Sequence, residues 1–344
     1  MREHKLLGDI LRQAAGAENL STSPKGNAIS KLRVIKNEKN FFLKIVGDSC
    51  ENAINFLIYT DEEKFSNPRN STTYLIMNSF LRKGFNIFVS IDNDPSLVEN
   101  MDVVAMRKNP PLDEDFIRQL SNYDDGSRLF INPPETQIYF SNKKYLLDLM
   151  GLDILPETLV SSNLGELINF YRDVGSCILK PCYGFGGKGI IKIPKRKRYL
   201  ELEKIFYDET VGGSREIILQ RFIKNVDKLG DKRIHLVKDK PLGAVLRLPA
   251  KGNYLCNISS GGKGYKTEIT KKDYEIVEKL KYVITDKRIF WSGIDVIGNY
   301  LGEINAISPG LLARADELNG TMMKEDSLMV YFMNAIREEV GNDN

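Results

Sequence analysis

From Phe56 onward, apolar positions fall in short runs separated by polar and turn residues. NFLIYT, TTYLIMNSFLRKG and FNIFVS predict strand, helix and strand, with Gly84 ending the helix. MDVVAMRK predicts another strand, which Asn109-Pro110-Pro111 stops because proline lacks an amide donor. This alternation predicts an α/β unit with a parallel sheet. From about residue 140, NKKYLLDLMGL and NLGELINFYRDVG read as helices. The strand CILK then enters the run GFGGKG, and IIKI, alternating and β-branched, predicts a strand after it. From Glu216 the predicted strands are EIILQRFI, KRIHLV, LGAVLRLP, FWSGIDVIG and YLGEINAIS, and the helices KKDYEIVEKLKYVI and SLMVYFMNAIREEV. SSGGKGY (259–265) reads as a mobile loop. Residues 1–40 are polar and interrupted by STSPKGN; Leu6, Leu7, Ile10 and Leu11 fit one short amphipathic helix, and the remainder reads as a tail.

A chain of 344 residues predicts two or three compact units. It is 42% hydrophobic and 28% charged, and no window approaches the ~20 apolar residues of a membrane-spanning helix. The first twenty residues lack the apolar core of a signal peptide, so the expected location is cytoplasmic, with no membrane partner. Lys and Arg number 49 against 46 Asp and Glu, a balance that excludes a dedicated nucleic-acid binder. The basic run KIPKRKR (192–198) reads as a solvated turn. Cys50, Cys177, Cys182 and Cys256 have no zinc-site spacing and are expected to be reduced. His4 lies in the tail and His235 within an apolar strand, which leaves little room for histidine catalysis.

Gly184, Gly186 and Gly189 satisfy the spacing G-x-G-x-x-G. A dinucleotide-binding turn must lead into a helix, and this one leads into a strand. A P-loop fails as well, because Gly187-Lys188 is followed by glycine. What remains is a hairpin able to lie close over phosphates. If Gly298-Asn299-Tyr300 form a turn, Asp295 faces Glu303, with Asn305 on the same face. Two carboxylates and an amide oxygen suit magnesium, and an exposed polar hairpin is the alternative that the residues alone leave open. Phosphates also need cations: Lys144 and Lys180 are candidates, although each taken alone reads as a surface lysine, and Arg233 and Arg247, with Asp231 nearby, lie on or beside apolar strands where edge placement is the alternative.

Lys144, Lys180-Pro181, the glycine hairpin, Gln220-x-Phe222, Asp295 and Glu303-x-Asn305 occur in an order that resembles the ATP-grasp carboxylate–amine ligases, and more narrowly bacterial glutathione synthetase. The phrases carrying the resemblance are DVVAMRKNPPLDEDFI (102–117), LPETLVSSN (155–163), ILKP-x-x-GFGGKGI (178–190), GDKRIHLV (230–237), NISSGGKG (257–264) and GIDVIGNYLGEINAISP (293–309). The resemblance covers roughly residues 55–338. The resemblance implies an α/β (α+β) chain with an ATP-grasp fold and an N-terminal α/β domain. The expected partition is an extension at 1–50, partly disordered, a substrate domain at 51–135, a lid subdomain at 136–213 and a magnesium-binding subdomain at 214–344.

The roles implied are these. Lys144, Lys180 and the hairpin Gly184, Phe185, Gly186, Gly187, Lys188 and Gly189 would hold the phosphates of ATP. The backbone of Gln220, Arg221, Phe222 and Ile223 would pair with adenine, and Asp231 would hold the ribose. Asp295, Glu303 and Asn305 would bind two Mg2+ ions, with Mn2+ as an alternative. Arg233, Arg247 and Asn257 would stabilise the transferred phosphate and the tetrahedral oxyanion. Arg107, Ser259, Gly261 and Gly262 would contact the substrates, a γ-glutamyl dipeptide or other carboxylate and an amine such as glycine. A symmetric homo-oligomer is within the family's range. Three departures stand in the acceptor half: Leu255-Cys256-Asn257 replaces Arg-Gly-Asn, Lys263 replaces an arginine whose planar fork lysine lacks, and Ala306-Ile307-Ser308-Pro309 replaces Val-Thr-Ser-Pro with loss of a hydroxyl. Glutathione synthetase is therefore expected first. A related ligase with other substrates comes second, and a non-catalytic nucleotide-binding protein third.

Overall fold

The computed structural model describes residues 31–33, 42–46, 53–61, 64, 71–321 and 324–342. The predicted amphipathic helix near Leu6, His4 and most of the predicted tail lie outside the described residues. The chain divides into two units, one of Met1–Gln137, Lys287–Trp291 and Ala306–Asn344, the other of Ile138–Asp286 and Ser292–Asn305.

In the first unit, strands β1 (Lys31–Arg33), β2 (Phe42–Val46), β3 (Asn55–Tyr59), β4 (Asn86–Ser90), β5 (Val103–Met106) and β6 (Leu129–Ile131) form one sheet in the order β1-β2-β4-β3-β5-β6. β3 runs parallel to β4 and β5, and β5 parallel to β6, as the strand–helix alternation predicts. Apolar runs such as FLIY are buried throughout, the signature of a sheet covered on both faces. β1 and β2 stand where the polar pattern reads an extension; β2 is held by antiparallel pairing to β4, a backbone interaction that leaves little trace in composition. Helix Thr72–Leu81 starts at Ser71, whose hydroxyl accepts from the Tyr74 amide, a standard N-cap. The first turn of helix Leu328–Asn342 is capped from helix Leu312–Asn319 by the buried Asp316, whose carboxylate accepts from the Leu328 and Met329 amides.

The second unit holds two sheets. β7 (Thr158–Ser161), β8 (Cys177–Pro181), β9 (Ile191–Ile193) and β10 (Ile217–Arg221) form the first, in the order β7-β10-β8-β9 with every pair antiparallel. The sequence pattern groups EIILQRFI with the strands that follow it, but β10 sits inside this earlier sheet. Cys177, Leu179, Ile217 and Leu219 point into a core closed by Leu167, Ile168 and Tyr171 of helix Leu164–Val174 and by Leu202 and Phe206 of helix Tyr199–Glu209. The two-residue period of strands therefore turns Ile178, Lys180, Ile218 and Gln220 to the other face.

β11 (Asp231–Val237), β12 (Lys240–Leu248), β13 (Lys263–Lys266), β14 (Trp291–Ile297) and β15 (Tyr300–Asn305) form the second sheet, in the order β13-β12-β11-β14-β15. Helix Lys271–Asp286 buries Ile276, Val277, Leu280 and Ile284. Lys232 reaches that helix at Asp273, 2.6 Å away, so Asp231 and Arg233 point to the opposite face. Two expectations change. Lys263–Lys266, read as part of a mobile loop, is an edge strand paired with β12. KKYLLDLMGL is a 3-10 helix over Lys143–Leu152. No described helix is long and apolar enough to cross a membrane.

Candidate active site

A pocket in the second unit is lined by β8, the glycine hairpin, β10, the segment after β12 and the β14–β15 hairpin. Its residues include Lys143, Lys180, Gly184, Phe185, Gly187, Lys188, Gln220–Ile223, Asp231, Asn257, Asp295 and Glu303. β8 and β9 are directly paired, with Leu179 opposite Ile191, so GFGGKG is the tip of a β-hairpin. Gly184, Gly186, Gly187 and Gly189 all take positive φ, between 64° and 144°, which explains the density of glycine there.

Lys180 extends from β8 across the sheet face to Gln220 Oε1 at 2.5 Å, and Gln220 Nε2 donates to Thr158 Oγ1 at 2.9 Å. Burial pushes the Lys180 ammonium below its ordinary value, with Glu303 opposing and Lys143 reinforcing that shift. Of the two adjacent lysines at the 3-10 helix, Lys143 enters the pocket. Its ammonium pairs with Glu303 and donates to the Gly184 carbonyl at 2.9 Å. Lys144, the one singled out in the sequence, is instead 42% exposed and pairs with Glu216. Arg221 lines the pocket with Phe222 and Ile223, and its guanidinium is held by Glu157 and Tyr300.

Asp231, Arg233, Arg247 and Asp295 form a closed charge cluster. Arg247 pairs across the strands with Asp231 and donates to it at 2.5 Å and to Asp295 at 2.9 Å. Arg233 holds both Asp295 oxygens, Nε on Oδ1 and Nη2 on Oδ2, the latter at 2.9 Å. Burial works to raise the Asp295 carboxyl, but the two guanidinium groups hold it well below the usual carboxylate range. Asp231 goes the other way: burial, reinforced by Asp295, raises it to about 6 against the pull of Arg247. Its Oδ1 is buried without a hydrogen-bond partner, an acceptor available to a bound hydroxyl. Gly293 makes room for this cluster, since a Cβ there would stand 2.6 Å from Arg233 Cδ.

Asp295 faces Glu303 and Gly293 faces Asn305, so the three candidate metal ligands share one face of the hairpin. The route to that pairing differs from the expected three-residue turn. Ile297 pairs with Tyr300 around Gly298-Asn299, and an irregularity between Asp295 and Val296 restores the register. Among the described residues no cluster of three or more His, Cys, Asp or Glu side chains forms. Two carboxylates and an amide oxygen are hard donors that fit a magnesium ion, and they now carry Arg233, Arg247 and Lys143 as counter-cations.

Asn257 lines the pocket, whereas Ser259, Gly261 and Gly262 form a tight turn after it, with the Gly262 amide donating to the Asn257 carbonyl at 3.0 Å. Leu255 and Cys256 also line the pocket, and burial pushes the Cys256 thiol up to about 12, so it is no nucleophile. Arg107 belongs to the first unit, where it is buried. Its Nε donates to Thr73 Oγ1 at 3.2 Å, its Nη1 to the Pro309 carbonyl at 3.0 Å, and its guanidinium lies 4.9 Å from the Trp291 ring centre. Sequence reasoning missed Lys143, Tyr145 and Tyr254. Tyr145 is buried with its hydroxyl bonded to both the amide and the carbonyl of Ile304, and so braces β15 beside Glu303.

Residues 142–320 match the family model for the ATP-grasp domain of prokaryotic glutathione synthetase. Curated relatives agree. The glutathione synthetase of Gloeobacter violaceus is 32% identical over 232 residues, covering 65% of this chain and 70% of that protein. The chain belongs to the prokaryotic glutathione synthetase family. The glutathione synthetase of Thermosynechococcus vestitus is likewise 32% identical over 232 residues, covering 67% of this chain and 71% of its own. Among solved structures, a D-cycloserine synthetase superposes with a TM-score of 0.60 at 16% identity, over 83% of this chain and 99% of that one. A D-alanine–D-alanine ligase from Bacillus anthracis, complexed with ATP, does so with 0.56 at 13% identity, over 85% and 100%. Those likenesses show the ATP-grasp fold. A member of this family is an ATP-dependent carbon–nitrogen ligase that uses ATP and a divalent metal on small-molecule substrates.

Proposed function

We propose that the chain is a glutathione synthetase, joining γ-glutamylcysteine to glycine with conversion of ATP to ADP and phosphate. The observation that carries this reading is the single pocket in which Lys143, Lys180, the glycine hairpin, Gln220–Ile223, Asp231, Asp295 and Glu303 converge. Adenine would lie along the backbone of Gln220–Ile223 and the ribose at the unpaired Oδ1 of Asp231. The phosphates would extend toward Lys180, Lys143 and the hairpin amides. Asp295, Glu303 and Asn305 would hold magnesium, one ion or two, which when bound offsets phosphate charge.

The dipeptide carboxylate attacks the γ-phosphorus, breaking its bond to the β-phosphate oxygen and giving an acyl phosphate and ADP. The glycine amine then attacks the acyl carbon, phosphate leaves, and the amine gives up a proton. Arg233 and Arg247, buried against Asp295, would act from behind the carboxylates where charge gathers, and Asn257 would donate to the oxyanion.

A related ligase with a different carboxylate or amine is the second reading, and Leu255 favours it, because an apolar side chain lines the pocket there. Purified protein with ATP, magnesium and γ-glutamylcysteine, assayed for ADP and amide with and without glycine, separates the readings. Glycine-dependent turnover yielding the tripeptide is expected. Turnover with other amines alone would move the assignment to the second reading, and silence across a panel to nucleotide binding without catalysis. Asp295→Asn is expected to lower turnover by on the order of a hundredfold or more, as removal of a metal-ligand charge should. A near-normal rate would remove Asp295 from the metal site.

A further inference from the structure

The glycine hairpin and the segment that follows β12 are joined at three points. At the base, the Tyr254 hydroxyl donates to the Ile190 carbonyl at 3.2 Å and accepts from the Lys192 amide at 3.3 Å. In the middle, Gly187 lies against Asn257, so close that a Cβ on Gly187 would meet Asn257 Oδ1 at 2.8 Å. At the tip, Ser259 Oγ donates to the Gly186 carbonyl at 3.2 Å. The Lys192 ammonium adds a cationic contact, 3.8 Å from the Phe222 ring centre and 5.8 Å from that of Tyr254. The turn itself is stiffened, since the Ser260 and Gly262 amides both donate to the Asn257 carbonyl, at 2.9 and 3.0 Å.

We propose that hairpin Gly184–Ile190 and segment Tyr254–Ser260 are clasped into one closing unit, with Tyr254 and Ser259 as positioning residues that seat Asn257 beside the transferred phosphoryl group. This rests on the ligase reading and changes the place of Ser259, whose hydroxyl is spent on the hairpin rather than on substrate. The consequence is coupling. Nucleotide phosphates that draw down the hairpin bring Asn257 with it, so the acyl phosphate forms under a lid that excludes water. If the clasp is opened, water attacks the acyl carbon, the carbon–oxygen bond to phosphate breaks, and the carboxylate is regenerated with ATP consumed and no amide made.

Two readouts test it on the full-length protein. First, hydrogen exchange is followed with a nonhydrolysable ATP analogue and magnesium as the probe. In the parent the analogue is expected to slow exchange in residues 184–190 and 254–262 alike. In Ser259→Ala and Tyr254→Phe it should still slow 184–190, while protection of 254–262 drops roughly two- to tenfold for each hydrogen bond lost. Second, the ratio of ADP to amide should rise in both variants, and Ser259→Thr, which keeps the hydroxyl, should restore it. Ser259 is exposed and Tyr254→Phe keeps the ring, so both variants should fold. Protection of 254–262 that stays at the parent level in both variants overturns the clasp, whatever the ratio does. Lost protection with an unchanged ratio overturns the positioning role. A parent that makes no amide defeats the ligase reading, and the exchange experiment still decides the clasp.

Discussion

Two aspartates and two arginines share a buried space around Asp295, and their charges cancel only as a set. The consequence for pH is carried by Asp231, which burial raises to about 6. Between the ordinary carboxylate value near 4 and that value, the folded chain binds this proton more tightly than the unfolded chain. Stability from this group is therefore greatest at low pH and declines as pH rises through that window. Asp295, held low by its arginines, changes charge below the window. Asp231→Asn lacks the declining contribution. Urea unfolding without ligand should show the stability difference, variant minus parent, moving in favour of the variant from pH 4 to pH 7 by on the order of 2 kcal/mol. A flat difference would mean that Asp231 titrates normally. The two lysines of the 3-10 helix make a second test. Lys143→Ala should raise the KM for ATP about tenfold by removing a pocket cation. Lys144→Ala should change it less than twofold, because a half-exposed pair with Glu216 contributes little. The reverse ranking in steady-state kinetics would return Lys144 to the phosphates.

The β14–β15 hairpin shows how an element sets the site. Gly293→Ala places a methyl group 2.6 Å from Arg233 Cδ, so either the arginine or the strand must move. The expected loss is about 1–3 kcal/mol in urea unfolding, together with a fall in turnover as Arg233 leaves Asp295. A variant with parent stability and rate would show the cluster to be slack. This hairpin also marks the limit of what the chain's pattern reveals. Apolar runs announced the strands β3 to β5 and β10 to β12, because burial demands them, whereas the three residues of β6 are too short a run to stand out. Asp295 and Glu303 could be paired on alternation alone, yet the turn was misplaced by one residue, since a bulge depends on local backbone that no period encodes. Nor could the pattern reveal that Lys143 enters the pocket in place of Lys144, because a 3-10 helix turns its side chains by three residues where an α-helix needs 3.6. KGYK hid its strand because an edge strand with exposed side chains needs no apolar face.

At the scale of the whole chain, the first unit is discontinuous: Lys287–Trp291 returns to it before the β14–β15 hairpin, and Ala306–Asn344 after it. A partition read along the sequence has no view of such a return, because the deciding contacts are far apart in the chain. β1 and β2 test the first unit from its other end. β2 pairs Phe42–Ile45 with Ile87–Ser90 of β4, leaving β3 as the other neighbour of β4. Deleting residues 1–50 would strip both strands and leave NIFVS as the margin of a sheet, an apolar strand with unpaired amides and carbonyls of the kind that templates association. Each ladder bond removed costs about 1 kcal/mol, so the urea midpoint should fall and light scattering should rise with concentration. ATP-analogue affinity should hold near the parent value in the soluble fraction, because every residue lining the pocket proposed for the nucleotide belongs to the second unit. A truncated chain that stays monomeric with an unchanged midpoint would show that β1 and β2 add nothing to the sheet. One that loses nucleotide affinity while remaining folded would show that this segment acts on the second unit.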